Sequence, residues 1–410
     1  MPILFSDVTV VPMDGAPQVL EHAYVAVEGT KIASVGTEPP EGTFDRVVDG
    51  AGKVLLPGFV NAHTHLPMTL MRGYGGGCDL HTWLNQYIFP AEARLDSRAV
   101  AAGAGLGLAE MIASGVTCVA DMYMHTGTIA EQILEAGISA NLSCGGVYFG
   151  APEDFSPETC GDCRNQAALT EEWHGAGAGQ ILVDASVHGE YTSNPPLWRW
   201  MAEYAAEHRL GMHVHVSETQ SEHQASLERW GKTPIQALDG CGVWDCGRSL
   251  AAHCVYTTEE DWALMAEKGI SCVHNPWSNL KLGSGVAPIP AMMRAGVNVA
   301  LGTDGMSSHN SADLFSDIKL AAVLHNGVER DPMAVNAWAA LEMATVNGAR
   351  ALGRDTGVIA PGKTADLILV DLSAPNLIPC HDPVEDLVFS AHGSNVEMNM
   401  ARGQVIYEKG

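Results

Sequence analysis

The chain is short of positive charge. Lys and Arg number 22 against 48 Asp and Glu, a formal net charge of -26 over 410 residues. Phosphate recognition needs clustered Lys and Arg, so neither nucleic acid nor an anionic membrane is an expected partner. The acidity reads as solubility. No uninterrupted apolar stretch is long enough to span a bilayer. Met1 to Gly15 holds no basic region followed by an apolar run, and a cytoplasmic location is the expectation. Cysteine is also scarce, with ten residues, far from a disulfide scaffold, and reduced thiols are expected. Cys160-Gly161-Asp162-Cys163 is a lone CxxC in an expected polar loop, and the plain expectation is free surface thiols. A structural zinc shared with Cys241 and Cys246 is the other reading, although neither pair has a matched partner at usual spacing. Cys118, Cys254 and Cys272 sit in apolar runs and are expected in the core.

What is present is an apolar content of 46%, enough for a sizeable core. From about Ile3 to Val54 the chain alternates and turns often, as in Ala23-Tyr24-Val25-Ala26-Val27 and Lys31-Ile32-Ala33-Ser34-Val35. Short antiparallel strands are expected there. Strands return at Ala365–Asp371 and Gln404–Tyr407. A small β-sandwich built from both termini, residues 1–56 and 358–410, follows as an expectation. Between them, residues 57–357 alternate strand and helix. Strands are expected at Phe59–Ala62, Thr117–Asp121, Ile138–Leu142, Ile181–Val187, Gly211–Val216, Leu250–His253, Ile270–His274 and Val297–Thr303. Helices are expected at Ser97–Ala113, Pro196–His208, Thr258–Lys268, Ala312–His325 and Pro332–Asn347. Eight strands alternating with helices are the count of an α/β fold of the (β/α)8 TIM-like barrel type.

Four segments end a hydrophobic run in a metal-binding or proton-transferring side chain. They are Phe59-Val60-Asn61-Ala62-His63-Thr64-His65, Met212-His213-Val214-His215-Val216-Ser217-Glu218, Ala251-Ala252-His253 and Ala300-Leu301-Gly302-Thr303-Asp304. All lie at the C-terminal ends of expected barrel strands, where such barrels carry their chemistry. Side chains two apart on a strand share a face, so His63 and His65 can bind one ion together. His215 and Asp304 complete a set of four that leaves a position open for water. His213 shares the face of His215 and competes as a ligand; lower on the strand, it is expected to fill an inner layer. Glu218 can move protons. His253 can orient a water. His274 is expected to be structural or to support a ligand. No lysine occurs between Lys53 and Lys232, so an early or middle strand cannot supply a carboxylated lysine to bridge two metals. One metal per chain follows. Zinc suits three His and one Asp, and iron accepts the same ligands.

These segments resemble the amidohydrolase superfamily, in its mononuclear branch of 5-methylthioadenosine/S-adenosylhomocysteine deaminases. The resemblance runs over nearly the whole chain. It is carried by Leu56-Pro57-Gly58-Phe59-Val60-Asn61-Ala62-His63-Thr64-His65, Pro90-Ala91-Glu92-Ala93-Arg94-Leu95 and Ala251-Ala252-His253-Cys254-Val255. It continues through His274-Asn275-Pro276-Trp277-Ser278-Asn279-Leu280-Lys281-Leu282-Gly283, Leu301-Gly302-Thr303-Asp304-Gly305 and the stretch from Gly357 to Leu367. It implies a metal held by His63, His65, His215 and Asp304, with water attacking carbon 6 of an adenine ring. It implies that Glu218 protonates the ring nitrogen, that His253 and Asp304 take the water proton, and that Asp304 helps ammonia depart. Trp83 would pack on the base, Glu92 would bind the ribose hydroxyls, and His188 would contact the nucleoside; Arg164 and Ser308 are further substrate-binding candidates. A homodimer or larger assembly is implied as well.

The sequence departs from the family at one place. Relatives acting on S-adenosylhomocysteine carry an arginine after the third strand, where this chain has Cys144. A bidentate arginine is a main source of carboxylate specificity. Methylthioadenosine or adenosine is therefore the expected substrate. Other readings are deamination or dechlorination of another nitrogen heterocycle (guanine, pterin, cytosine or a chlorotriazine), amide hydrolysis, and a non-catalytic scaffold on the same fold.

Overall fold

Parallel strands organise the middle of the chain. In the computed structural model, which describes residues 2–15 and 17–410, they form two five-stranded sheets. One runs in the order Asp304–Gly305, Phe59–His65, Val116–Met122, Ser139–Ser143, Ile181–Val183. The other runs Ala185–Gly189, Met212–Val216, Ser249–His253, Ile270–His274, Val299–Leu301. Every residue of Val116–Met122, Met212–Val216 and Ile270–His274 is buried. Strands covered on both faces read as continuous apolar runs, which is why these stretches do not alternate. Helices such as Ser97–Ala113, Pro195–His208 and Glu259–Lys268 connect them.

Two expected strands are broken, and the breaks join the sheets. Ile181–Val187 divides at Asp184. The buried Asp184 carboxylate accepts from Asn141 Nδ2 at 2.8 Å and from the Gly211 N–H at 3.2 Å, and pairs with Arg248. These partners turn the chain from one sheet to the other. Val297–Thr303 narrows to Val299–Leu301, and the chain resumes pairing at Asp304, opposite Thr64. Gly302 sits between. A Cβ there would lie 2.8 Å from the His63 carbonyl oxygen and 2.6 Å from Asn275 Oδ1, so only glycine permits this approach.

The expected helix Pro332–Asn347 is also two helices, Ala337–Ala344 and Val346–Leu352. Asn336 caps the first by accepting from the Ala339 N–H, so the helix starts later than expected. Thr345 leaves helical geometry at φ -128°, ψ -96°, its hydroxyl donating back to the Leu341 carbonyl at 2.6 Å.

Both termini build one eight-stranded sheet. Lys53–Pro57 lies between Ile3–Val10 and Leu367–Asp371, antiparallel to the latter. The first strand also runs parallel to Arg46–Asp49 and Lys53–Pro57, where antiparallel pairing was expected, because residues 37–45 carry the chain back across the sheet. This sheet has its own core, including Phe5, Val25, Leu55, Leu367 and Met400.

The CxxC cysteines are not surface thiols. Cys160 precedes the helix Gly161–Trp173 and Cys163 lies in its first turn, and both are buried among apolar residues. Among the described residues, no group able to share a metal contains cysteine, so a four-cysteine zinc site is not formed. Cys118, Cys254 and Cys272 are buried. No helix of the described residues is long and apolar enough to cross a membrane.

Candidate active site

The strand ends converge. His63 and His65 come from Phe59–His65, His215 from Met212–Val216, His253 from Ser249–His253, and Asp304 from the short strand beside His65. His65 Nε2 lies 3.1 Å from Asp304 Oδ1 and 3.4 Å from His215 Nε2. His63 Nε2 lies 3.4 Å from the same Asp304 oxygen. Ligand atoms of His63, His65 and Asp304, and of His63, His215 and His253, fall within 4.8 Å of one another.

The far side of each imidazole is occupied. His65 Nδ1 donates to the Met122 carbonyl at 2.5 Å and His215 Nδ1 to the His188 carbonyl at 2.6 Å. His63 Nδ1 meets His213 Nε2 at 2.8 Å, so His213 stands behind His63. A proton on each Nδ1 turns a lone pair on each Nε2 toward the cluster, which is how ligating histidines are held. His63 Nε2 is buried with no hydrogen-bond partner. An orphaned buried nitrogen is costly in a finished core and ordinary at a site built for a cation. Burial drives the His63 and His215 pKa values well below the usual imidazole range, so both are neutral donors. Burial also disfavours charge on His65 and Asp304. Their mutual contact outweighs it, raising His65 to about 9 and holding Asp304 well below the carboxylate range, so a cation binding here displaces the proton shared by His65 Nε2 and Asp304 Oδ1.

Asp304 is oriented by hydroxyls. Ser278 Oγ donates to its Oδ2 at 2.6 Å and Ser308 Oγ to the same oxygen at 2.9 Å, which leaves Oδ1 for the cluster. His253 Nδ1 donates to Asn279 Oδ1 at 2.8 Å, so its Nε2 is the basic nitrogen. That nitrogen lies 3.8 Å from Glu218 Oε2. Glu218 is buried, which raises its pKa above the ordinary range, and it has a long contact, 3.4 Å, from Ser284 Oγ. Glu222 fixes the loop from below by accepting the Ser217 and Glu218 N–H groups, each at 2.8 Å. Three of these corners adopt left-handed backbone: Ser217 at φ 49°, His253 at 74° and Asp304 at 61°. Such conformations cost about 1–3 kcal/mol each and cluster where geometry serves function.

The cluster forms one end of a cavity of about 300 Å3. Trp83, Glu92, His188, Glu218 and His253 line it. Trp83 is buried at the end of the helix Leu80–Trp83, its indole N–H directed to the Tyr74 carbonyl at 3.3 Å. Burial raises the Glu92 pKa and lowers that of His188 to about 4, so His188 is neutral. Two expected substrate contacts lie elsewhere. Arg164 is on the exposed side of Gly161–Trp173 and donates to the Glu158 carbonyl at 2.8 Å, outside the cavity. Its helix buries Cys163 and Gln166 instead, which turns position 164 to solvent. Ser308 is buried against Asp304 and supports that carboxylate rather than lining the cavity.

The amidohydrolase family profile matches residues 54–406. The chain belongs to the amidohydrolase family. This amidohydrolase is 41% identical over 415 residues to the 5-methylthioadenosine/S-adenosylhomocysteine deaminase of Moorella thermoacetica, covering 100% of this chain and 94% of the relative. It is 40% identical over 391 residues to the 5'-deoxyadenosine deaminase of Methanothermobacter thermautotrophicus, covering 95% and 90%. Among solved structures, an adenosine deaminase from Xanthomonas campestris with bound zinc superposes with a TM-score of 0.91 at 34% identity, covering 98% of this amidohydrolase and 92% of that chain.

Several residues of the site were not read from the sequence. Ser278, Asn279 and Ser284 act through contacts 26 to 66 positions away in the chain. Glu222 carried a usable signal, since Thr219-x-x-Glu222 is a capping box, but that pattern does not reveal the bonds to Ser217 and Glu218.

Proposed function

We propose that this amidohydrolase is a metal-dependent hydrolytic deaminase of adenosine derivatives, taking one water and releasing the inosine form and ammonia. The observation that carries the reading is the set of three imidazole Nε2 atoms and one Asp304 oxygen gathered at the base of a cavity that also holds Glu218 and His253. His63, His65, His215 and Asp304 fit one zinc per chain, with iron the other ion that accepts such donors. Bound there, the ion supplies Lewis acidity that lowers the pKa of water toward 7.

The chain's own groups then carry the protons. An aromatic amine leaves poorly, so the ring must gain a proton as water adds to carbon 6. Glu218, whose pKa burial raises, delivers it to the adjacent ring nitrogen. His253 Nε2, freed by the Asn279 contact, receives the proton of the attacking water. Asp304 takes the second proton of the added water as the carbonyl forms and passes it to the departing amine, and His253 returns the first to Glu218, 3.8 Å away. Trp83, Glu92 and His188 position the nucleoside. The names of the relatives support methylthioadenosine, deoxyadenosine and adenosine as the substrate class. The likeness to the zinc-bound neighbour supports closure of the two parallel sheets into one eightfold barrel over residues 57–357. Residues 1–56 and 358–410 form the flanking β-sandwich, and the molecule works as a homo-oligomer.

The test is ammonia release by the zinc-loaded protein from methylthioadenosine, adenosine, S-adenosylhomocysteine, guanine and a chlorotriazine. Fast release from the first two is expected. No release from any adenosine compound, with turnover of guanine or chloride loss from the triazine, overturns the nucleoside reading.

A further inference from the structure

A second cavity adjoins the first. It measures about 480 Å3, and Met124, Cys144 and Asp162 line both. None of the metal-cluster residues lines the second cavity, so the shared wall is where the first cavity leads away from the cluster. A nucleoside whose amine reaches the cluster directs its ribose substituent the other way. That end of the substrate meets a wall with a definite charge. Among the described residues no Lys or Arg lines either cavity, while Asp162 and Glu172 line the second. Asp162 is held by the Val147 N–H at 2.8 Å and by a weaker contact to Asn165 at 3.4 Å. Cys144 adds no charge, since burial pushes its thiol up to about 12 and its sulfur donates to Gln166. His125 is the one imidazole there, and its Nδ1 meets Ser97 Oγ at 3.2 Å. The N-terminus of the helix Thr126–Ala136 borders the same space, and a helix end carries about half a positive charge. Against it stand two carboxylates, the half-buried Asp162, whose pKa burial raises, and the exposed Glu172.

Resting on the deaminase reading, we propose that the substrate's ribose substituent passes Cys144 into the second cavity, and that Asp162 and Glu172 make this subsite accept neutral or ammonium-bearing tails and reject carboxylates. The preferred substrates are thus adenosines with an alkyl or aminoalkyl thioether at the 5' carbon. A carboxylate entering this space loses water and gains no cation, while an ammonium meets the half-buried Asp162 and the exposed Glu172 along the wall.

The experiment uses zinc-loaded protein and three 5'-thioadenosines, with S-methyl, S-(3-aminopropyl) and S-(2-carboxyethyl) tails. The expected kcat/KM ratio of the amine to the acid is about tenfold or more, the size of one favourable charge contact. Asp162→Asn and Glu172→Gln should each pull that ratio toward one. A ratio near one or inverted in the native protein overturns the proposal. So does a ratio that neither variant moves, since the overall charge of -26 would then suffice to explain it. If none of the three releases ammonia, the deaminase reading falls and calorimetry with the same amine and acid decides the tail question. Tighter binding of the amine then supports the subsite, and equal or inverted affinities overturn it.

Discussion

The two ends of the parallel strands are built on opposite rules. At the C-terminal ends polar atoms are left without partners: His63 Nε2 and Asn279 Nδ2 are buried and unbonded, and three corners hold left-handed backbone. Toward the starts of the strands donors are mostly used, although Arg248 Nε is buried there without a partner. Arg354 gives its Nε to Asn141 Oδ1 at 2.9 Å, one Nη to the Gly179 carbonyl at 2.7 Å, and the other to the Ala140 and Gln180 carbonyls. Asp184, bound to Asn141, Gly211 and Arg248, belongs to the same network. Buried polar groups satisfied on all sides rigidify a fold. His63 Nε2, left open beside the carboxylate and imidazoles of the cluster, is placed to take a ligand. The difference predicts that changes at one end remove activity and changes at the other remove stability.

The strongest break should come at Glu218. Glu218→Gln keeps the shape and removes the transferable proton. The expected loss is about a thousandfold in kcat, with zinc content and melting temperature near those of the parent. A parallel fall in bound zinc would move Glu218 from proton transfer to metal support. The matching test at the other end is Arg354→Met. It removes the cation and one donor from each of four acceptors, of which the Gln180 carbonyl keeps the Ala140 N–H, so a loss of about 3 kcal/mol in unfolding free energy is expected, measured by denaturant titration. Activity per folded molecule should hold. A specific loss of kcat without destabilisation would erase the division between the ends.

How far the sequence reveals each end follows from what the chemistry depends on. The converging side chains were legible because a strand repeats every two residues and a barrel places its strand ends together; His63, His65, His215, His253 and Asp304 need nothing more to be found. Their supports were not. Met122 and His188 serve His65 and His215 through backbone carbonyls, which any residue type provides. The break at Asp184 looked like an unbroken strand because a single polar residue in an apolar run carries no turn signal; its meaning lies in Asn141 and Arg248, 43 and 64 positions away. Cys163 and Arg164 lie in one helix with Cys160 at its N-cap, and a loop in that segment would expose the cysteines and leave the arginine unoriented. Folded, the helix face buries Cys163 and turns Arg164 outward.

Ser308 offers the finest division. As a substrate contact, its loss would raise KM. As a donor to Asp304 Oδ2, its loss should weaken metal retention, because Asp304 then has only Ser278 to keep Oδ1 turned to the cluster. A hydrogen bond to a charged group is worth about 1.5–3 kcal/mol, but the single Ser308 proton is shared with the Gly305 carbonyl, also at 2.9 Å, so about 1 kcal/mol, or roughly fivefold, is expected. Ser308→Ala should therefore lower zinc affinity about fivefold in competition with a chelator and leave KM near its parent value when zinc is saturating. The effect stays small because Ser278, at 2.6 Å, is the shorter of the two bonds and remains in place. A raised KM under saturating zinc, with unchanged metal affinity, would return Ser308 to the substrate and leave Asp304 with one support rather than two.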